Sequence, residues 1–150
     1  MNTSYTLPTP LMEVSAIYWQ RWCERHPEQL AQLTDTQVQE SQYIFGLSDF
    51  IAESCINNDG LLNQIWQSGL LTESERKALV SEALAKQLAD CDSEAQLSKT
   101  IRQFRRLHMC IIAWRELLQR AELAESLAHI SQLADELIEG ALAWLYRLQC

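Results

Sequence analysis

The chain has 150 residues and a mass of 17.3 kDa, the length of one ordinary domain, which buries roughly 68–70% of the surface its unfolded chain exposes. Hydrophobic residues at 47% and charged residues at 21% lie near globular averages and exclude a disordered tail or a fibre. Twenty acidic residues against twelve basic ones leave a formal charge of -8 and a pI near 4.8, so the chain as a whole is repelled by nucleic-acid backbones and anionic lipid.

Uncharged stretches such as Met109 to Trp114 fall short of the roughly 20 apolar residues that span a bilayer. The first ten residues are polar and turn-rich, without the basic start and apolar core of a secretory signal, so a cytoplasmic location is expected. Five cysteines, Cys23, Cys55, Cys91, Cys110 and Cys150, form no C-x-x-C pair, which argues for reduced, packed thiols rather than a disulfide framework or a zinc site. Four glycines and three prolines all fall between apolar-periodic segments. The expected fold is all-α, an irregular bundle of about six or seven helices forming a single helical domain over residues 1–150.

The first helix is expected to take Thr9 as N-cap and Pro10 as its first residue, with Leu11, Val14, Tyr18 and Trp22 on one face. A bend is expected near His26, because the residue before Pro27 avoids helical backbone angles. Asp35 can cap a further helix carrying Val38, Gln42 and Phe45. Gly46, Ser48 and Asp49 then mark a break or a new N-cap, which leaves residues 35–58 readable as one kinked helix or as two. Phe50, Ile51 and Ser54 to Ile56 continue the pattern up to Asn57-Asn58-Asp59-Gly60, a turn signal. Leu61, Leu62, Ile65 and Trp66 form a short helix ended by Gly69.

Thr72 and Glu75 read as a capping box, followed by Leu79, Val80, Ala83, Leu84 and Leu88 at helical spacing. Ser93 and Gln96 make a second box before the longest pattern, Leu97, Ile101, Phe104, Leu107, Ile111, Trp114 and Leu118, about 25 residues of helix. After a break around Ala121 to Ala124, Leu127, Ile130, Ala134, Leu137, Ile138, Ala141 and Leu145 repeat it. Two long helices joined by so few residues are expected to pack antiparallel. The apolar Leu148 beside Cys150, with no polar tail or glycine cap, reads as a chain cut from a longer protein.

No phosphate loop, dinucleotide fingerprint, H-E-x-x-H or G-x-S-x-G occurs, and no catalytic or metal-ligating set is assigned. His26, His108 and His129 place no two rings on adjacent turns. Asp90 with Asp92 and Asp135 with Glu139 read as solvated faces, and Glu125 with His129 has the wrong spacing for a di-iron ligand unit. Charge distribution is the exception. Between residues 94 and 120 stand six basic residues (Lys99, Arg102, Arg105, Arg106, Arg115, Arg120) against Glu94 and Glu116, a local excess of +4 in an acidic chain. Planar guanidinium forks suit carboxylates or phosphates. The plain alternative is pairing with Glu122, Glu125, Asp135, Glu136 and Glu139. Trp114 beside Arg115, and Trp19 with Trp22, fit core or cation-π packing.

The stretch Ile101-Arg102-Gln103-Phe104-Arg105-Arg106, then Met109, then Ile112-Ala113-Trp114-Arg115-Glu116-Leu117, resembles the arginine-rich helix of the bacterial glutamine synthetase adenylyltransferase family of bifunctional adenylylating and adenylyl-removing enzymes. Ser48-Asp49-Phe50-Ile51-Ala52-Glu53-Ser54 and the segment from Leu61 to Leu71 are similar to helices of the family's amino-terminal, adenylyl-removing half. Leu133-Ala134-Asp135 and Ala143-Trp144-Leu145-Tyr146 are similar to the helix leading toward its catalytic fold. The resemblance covers about residues 43–147.

It implies a parent enzyme that uses ATP, ADP and Mg2+, transfers AMP to a tyrosine of glutamine synthetase, removes it by phosphorolysis and responds to the PII signalling protein. The family's Gly-Gly and Ser-Asp-x-Asp elements do not occur here; Ser48-Asp49-Phe50-Ile51 lacks the second aspartate. The catalytic centre is therefore expected outside this chain, with no cofactor held by the fragment. Arg102, Arg105, Arg106 and Arg115 are the candidate contacts to a neighbouring domain or to phosphate. The alternative is a self-contained acidic helical module for protein-protein interaction.

Overall fold

A computed structural model describes residues 5–71, 77–120 and 123–149. Among these residues there are eight helices and no strand, so the all-α expectation holds. Their contacts divide into two compact units, Met1–Leu71 and Thr72–Cys150. The expected capping box at Thr72 and Glu75, the break at Ala121 and Glu122, and the Cys150 thiol lie outside the described residues, as do the side chains of Leu79, Val80 and Leu148.

The first unit holds α1 (Thr9–Arg25), α2 (Pro27–Leu30), α3 (Asp35–Leu47), α4 (Asp49–Asn57) and α5 (Leu61–Gln67). Thr9 is not the N-cap of α1 but its first residue. Pro8, with φ -56° and ψ 150°, takes the capping position, and its carbonyl accepts from the backbone N-H groups of Leu11 and Met12 at 2.9 Å. Pro10 still falls in the first turn, where a missing N-H leaves no helical bond unmade.

The bend before Pro27 is present: His26 has φ -131° and ψ 52° and separates α1 from α2. Its ring is held by three neighbours. It lies 5.7 Å from the Trp22 ring, with Nε2 2.9 Å from the Ile56 carbonyl and Nδ1 3.2 Å from Asp59. The bend is thereby tied to the turn that follows α4.

The cap of α3 is Thr34 rather than Asp35. Thr34 Oγ1 accepts from the Gln37 N-H at 3.1 Å, and Gln37 accepts from the Thr34 N-H at 3.0 Å; Thr34 stands three residues before a glutamine that can return the bond, whereas Asp35 stands three before Val38. Residues 35–58 make two helices. Ser48, with φ -137°, ends α3, and its hydroxyl accepts from the Ile51 N-H at 3.1 Å to start α4. Gly60, at φ +77°, then closes the Asn-Asn-Asp-Gly turn in a conformation that costs a side chain 1–2 kcal/mol or so.

Trp22, Ile44, Phe45, Ile51, Ile56, Leu62 and Ile65 form the centre of this unit. The approach of α1 to α3 depends on Gly46: a Cβ there would stand 2.6 Å from Leu7 Cδ1 and 3.0 Å from the Leu11 carbonyl. Trp19 stacks on Trp22 at 4.9 Å and meets Phe45 at 5.6 Å, so the half-buried Trp19 packs on the core indole of Trp22. Cys55 is buried, and partial burial pushes the Cys23 thiol above its ordinary range.

The second unit holds α6 (Lys77–Ala89), α7 (Glu94–Leu117) and α8 (Leu123–Gln149). The two long helices run antiparallel. Arg115, near the end of α7, reaches Glu125 near the start of α8, while Trp144, late in α8, donates to the Cys91 carbonyl just ahead of α7 at 3.1 Å. Ser93 caps α7 by accepting from the Gln96 N-H at 3.2 Å. The expected return bond is displaced by one residue, because the Gln96 side chain accepts from the Asp92 N-H at 2.6 Å.

The core of this unit comprises Leu84, Leu88, Leu97, Phe104, Ile112, Leu133, Leu137 and Trp144. For α7 the expected apolar line is buried or half-buried throughout. For α8 it is displaced. Leu133, Leu137 and Trp144 face the core, whereas Leu127, Ile130, Ala134 and Ile138 lie on the surface. The apolar arc of α8 is about 180° wide in helical projection, beyond the ≳100° typical of a surface helix, and α6 and α7 cover only one side of it.

Candidate functional site

The residue types that singled out α7 do not form one stripe. At 100° per residue, Lys99, Arg102, Arg105 and Arg106 share one flank of its first half, while Arg115 points to the opposite side. Lys99, Arg102 and Arg105 are exposed and Arg106 is half-buried. Arg102 Nε donates to the Ser98 carbonyl of its own helix at 3.4 Å. Neither Arg102 nor Arg105 pairs with an acidic side chain among the described residues. Two guanidinium forks thus stand in solvent on one face, in a chain whose net charge is -8, able to accept a carboxylate or a phosphate.

Arg115 is a different residue structurally. Its side chain is only 3% exposed, its Nη1 lies 3.4 Å from Glu125, and its Nη2 donates to the Arg120 carbonyl at 3.2 Å. Nε has no hydrogen-bond partner among the described residues. The backbone around it forms a Schellman ending. Gln119 sits at φ +57°, its N-H donates to the Glu116 carbonyl at 3.0 Å, and the Arg120 N-H donates to the Arg115 carbonyl at 2.8 Å. A cation at the carbonyl end of a 24-residue helix is also favoured by the helix dipole. Arg115 therefore holds the corner between α7 and α8, and the plain alternative of pairing with the acidic residues that follow is what this arginine does.

Glu125 is one of the acids named above as partners for the basic residues, whereas Gln119 was not singled out from the sequence. Gln119 carried no signal, because glutamine is not a usual residue for positive φ. His129 Nε2 stands 3.9 Å from Glu125, and His108 packs its ring 4.3 Å from Phe104. Asp135 and Glu139 are exposed.

Elsewhere, Tyr18 donates to Asp49 at 3.0 Å and to Glu53 at 3.4 Å. Burial first, then the hydrogen bond and charge of Asp49 with those of Glu53, push its hydroxyl up to about 12. A cleft of about 690 Å³ in the first unit is lined by Tyr5, Met12, Trp19, Gln39 and Tyr43 among others and carries no charged side chain. Among the described residues no three His, Cys, Asp or Glu side chains converge as a metal site. Among the described residues no helix is long and apolar enough to cross a membrane.

The described residues thus form an all-helical chain with a basic flank on α7. Residues 38–150 match the family described as glutamate-ammonia ligase adenylyltransferase, and the chain belongs to that family. It is similar to relatives named bifunctional glutamine synthetase adenylyltransferase/adenylyl-removing enzyme. The one from Psychromonas ingrahamii is 45% identical over 115 residues, 77% of this chain and 12% of the relative. The one from Shewanella loihica is 38% identical over 144 residues, 96% of this chain and 15% of the relative. The one from Pseudomonas aeruginosa is 32% identical over 116 residues, 77% of this chain and 12% of the relative. The chain thus spans between about an eighth and a seventh of the length of these relatives. No solved structure matches it.

Proposed function

We propose that this chain is the helical amino-terminal portion of an enzyme that adenylylates glutamine synthetase from ATP and removes the AMP by phosphorolysis, and that it acts as a scaffold for the nucleotidyltransferase fold. The observation that carries this reading is the family match across residues 38–150. The relatives' printed name supports glutamine synthetase as the protein acted upon. ATP, ADP, Mg2+ and the PII protein belong in this reading to the larger enzyme working in the cytoplasm, and no step of the reaction is routed through residues of this chain.

The role left to these residues is positional. Arg102 and Arg105, exposed and without acidic partners among the described residues, together with Arg106 on the same flank, would meet an acidic surface of the catalytic fold or a phosphate held there. Arg115, committed to the α7–α8 corner, would act only by keeping α7 in place.

The test places this chain in the full-length Psychromonas ingrahamii enzyme, replacing the portion that it matches, and compares Arg102→Ala, Arg105→Ala and Arg106→Ala with the parent hybrid. Adenylyl removal should fall by at least about tenfold, roughly 1.4 kcal/mol, in Arg105→Ala or Arg106→Ala, with little change in the melting of the 150-residue chain. Unchanged removal in all three variants would overturn the positional role.

A further inference from the structure

The outer half of the α8 apolar arc is open. Leu127, Ile138 and Leu142 are 55%, 59% and 59% exposed, and Ile130 and Ala134 complete the row between them. These residues recur at steps of three and four over four turns, so they form a continuous ridge alongside the buried Leu133-Leu137-Trp144 line. Scattered exposed leucines are ordinary, but a contiguous row on one helix marks a contact surface. One edge of the row is acidic, with Asp135 and Glu139 both exposed.

We infer that this ridge is the docking surface for an amphipathic helix with basic residues along its edge, supplied by the part of the full-length enzyme that lies outside this sequence. The inference rests on the reading that the chain is one portion of that enzyme. Two observations select this occupant. The family match runs along all of α8, yet the chain spans only 12–15% of the length of these relatives, so most of their polypeptide remains to cover a surface that α6 and α7 leave bare. The acidic edge selects the charge: a second copy of this chain would bring Asp135 and Glu139 toward the same acidic edge, whereas lysine or arginine beside the incoming apolar face would neutralise them. Helix-in-groove contacts of this kind are read through side chains at i, i+3, i+4 and i+7, the spacing of the exposed row.

The test introduces Ile138→Cys, Leu142→Cys and, on the polar flank, Ala143→Cys, each in the 150-residue chain and in the full-length hybrid. Alkylation by N-ethylmaleimide is followed site by site through peptide mass spectrometry, which separates these thiols from the native cysteines. Positions 138 and 142 should react at similar rates to 143 in the short chain and roughly tenfold more slowly than 143 in the hybrid. Equal rates at all three positions in the hybrid would overturn the inference. So would slowing at 138 and 142 in the short chain that grows with protein concentration, which would make a second copy the occupant. Adenylyl removal by the hybrid separates the two levels: an active hybrid with open thiols leaves the proposed function standing without this surface, and an inactive one with slowed thiols leaves the surface standing without the activity.

Discussion

Arg115 and Glu125 carry the sharpest residue-level consequence. The guanidinium is almost fully buried and Glu125 is its acidic partner among the described residues, at 3.4 Å. Removing the carboxylate strands a buried cation, and that is costlier than the net worth of the pair. Glu125→Ala should therefore lower the unfolding free energy by about 3 kcal/mol, the lower end of the range for breaking a buried pair, because Glu125 itself is one-third exposed and the contact is long. Urea denaturation reads this directly; a loss below about 0.5 kcal/mol, the size of an ordinary surface substitution, would show that other groups hold Arg115.

Tyr18 gives a pH signature. Its hydroxyl is held up to about 12 against an ordinary 10.0, so the folded chain keeps this proton where the unfolded chain releases it. The stabilisation is complete below pH 10 and is lost as pH rises toward 12. Tyr18→Phe should remove that part of the alkaline destabilisation, seen as a shallower fall in melting temperature between pH 10 and 12. An identical fall in both proteins would show that neither burial nor Asp49 and Glu53 hold this hydroxyl up.

At the scale of the element, the chain stops and restarts helices by a small set of devices. Thr34, Ser48 and Ser93 accept from the third residue ahead, Pro27 enforces the bend at His26, and a Schellman ending closes α7. That ending places glutamine at φ +57°, where an L side chain costs about 1–2 kcal/mol, whereas glycine costs about 0.4–1 kcal/mol in unfolded-state entropy. Gln119→Gly should accordingly raise stability by roughly 0.5–1 kcal/mol, measured as a higher urea midpoint with an unchanged slope. A lower midpoint would mean that the Gln119 side chain makes a contact worth more than the strain.

Gly140, in the middle of α8, follows the opposite logic. Helix propensity disfavours it, but a Cβ there would stand 2.7 Å from Leu88 Cδ1 and 3.5 Å from Leu84 Cδ2. It is the point of close approach between α6 and α8.

At the scale of the whole molecule, charge and apolar surface are segregated. The chain is acidic overall, Arg102 and Arg105, without acidic partners among the described residues, stand on one flank of α7, and an exposed apolar row lies on α8. If that row is contact surface rather than core, Ile138→Lys and Leu142→Lys should each change the stability of the 150-residue chain by no more than about 0.5 kcal/mol. The same change at Leu137, buried in the core, should cost several times more, since it buries a charge without a partner. Comparable losses at 137 and 138 would place Ile138 in the core.

The sequence by itself determined the helical class, the turn at Gly60, the bend at His26 and the long pair α7 and α8, because caps, prolines and 3.6-residue periodicity act over a few neighbouring residues, while the structure decided that residues 35–58 break at Ser48 into two helices. The residues of α7 also carried the family resemblance, which the match over residues 38–150 supports. Tertiary structure alone decided which half of the wide α8 arc is buried and which of the five arginines of α7 and its C-terminal corner turns inward. Both depend on where other helices lie, and an apolar arc of about 180° or a row of like charges is compatible with more than one covering. Local periodicity states that a face is apolar or basic; only the neighbours state whether that face is covered.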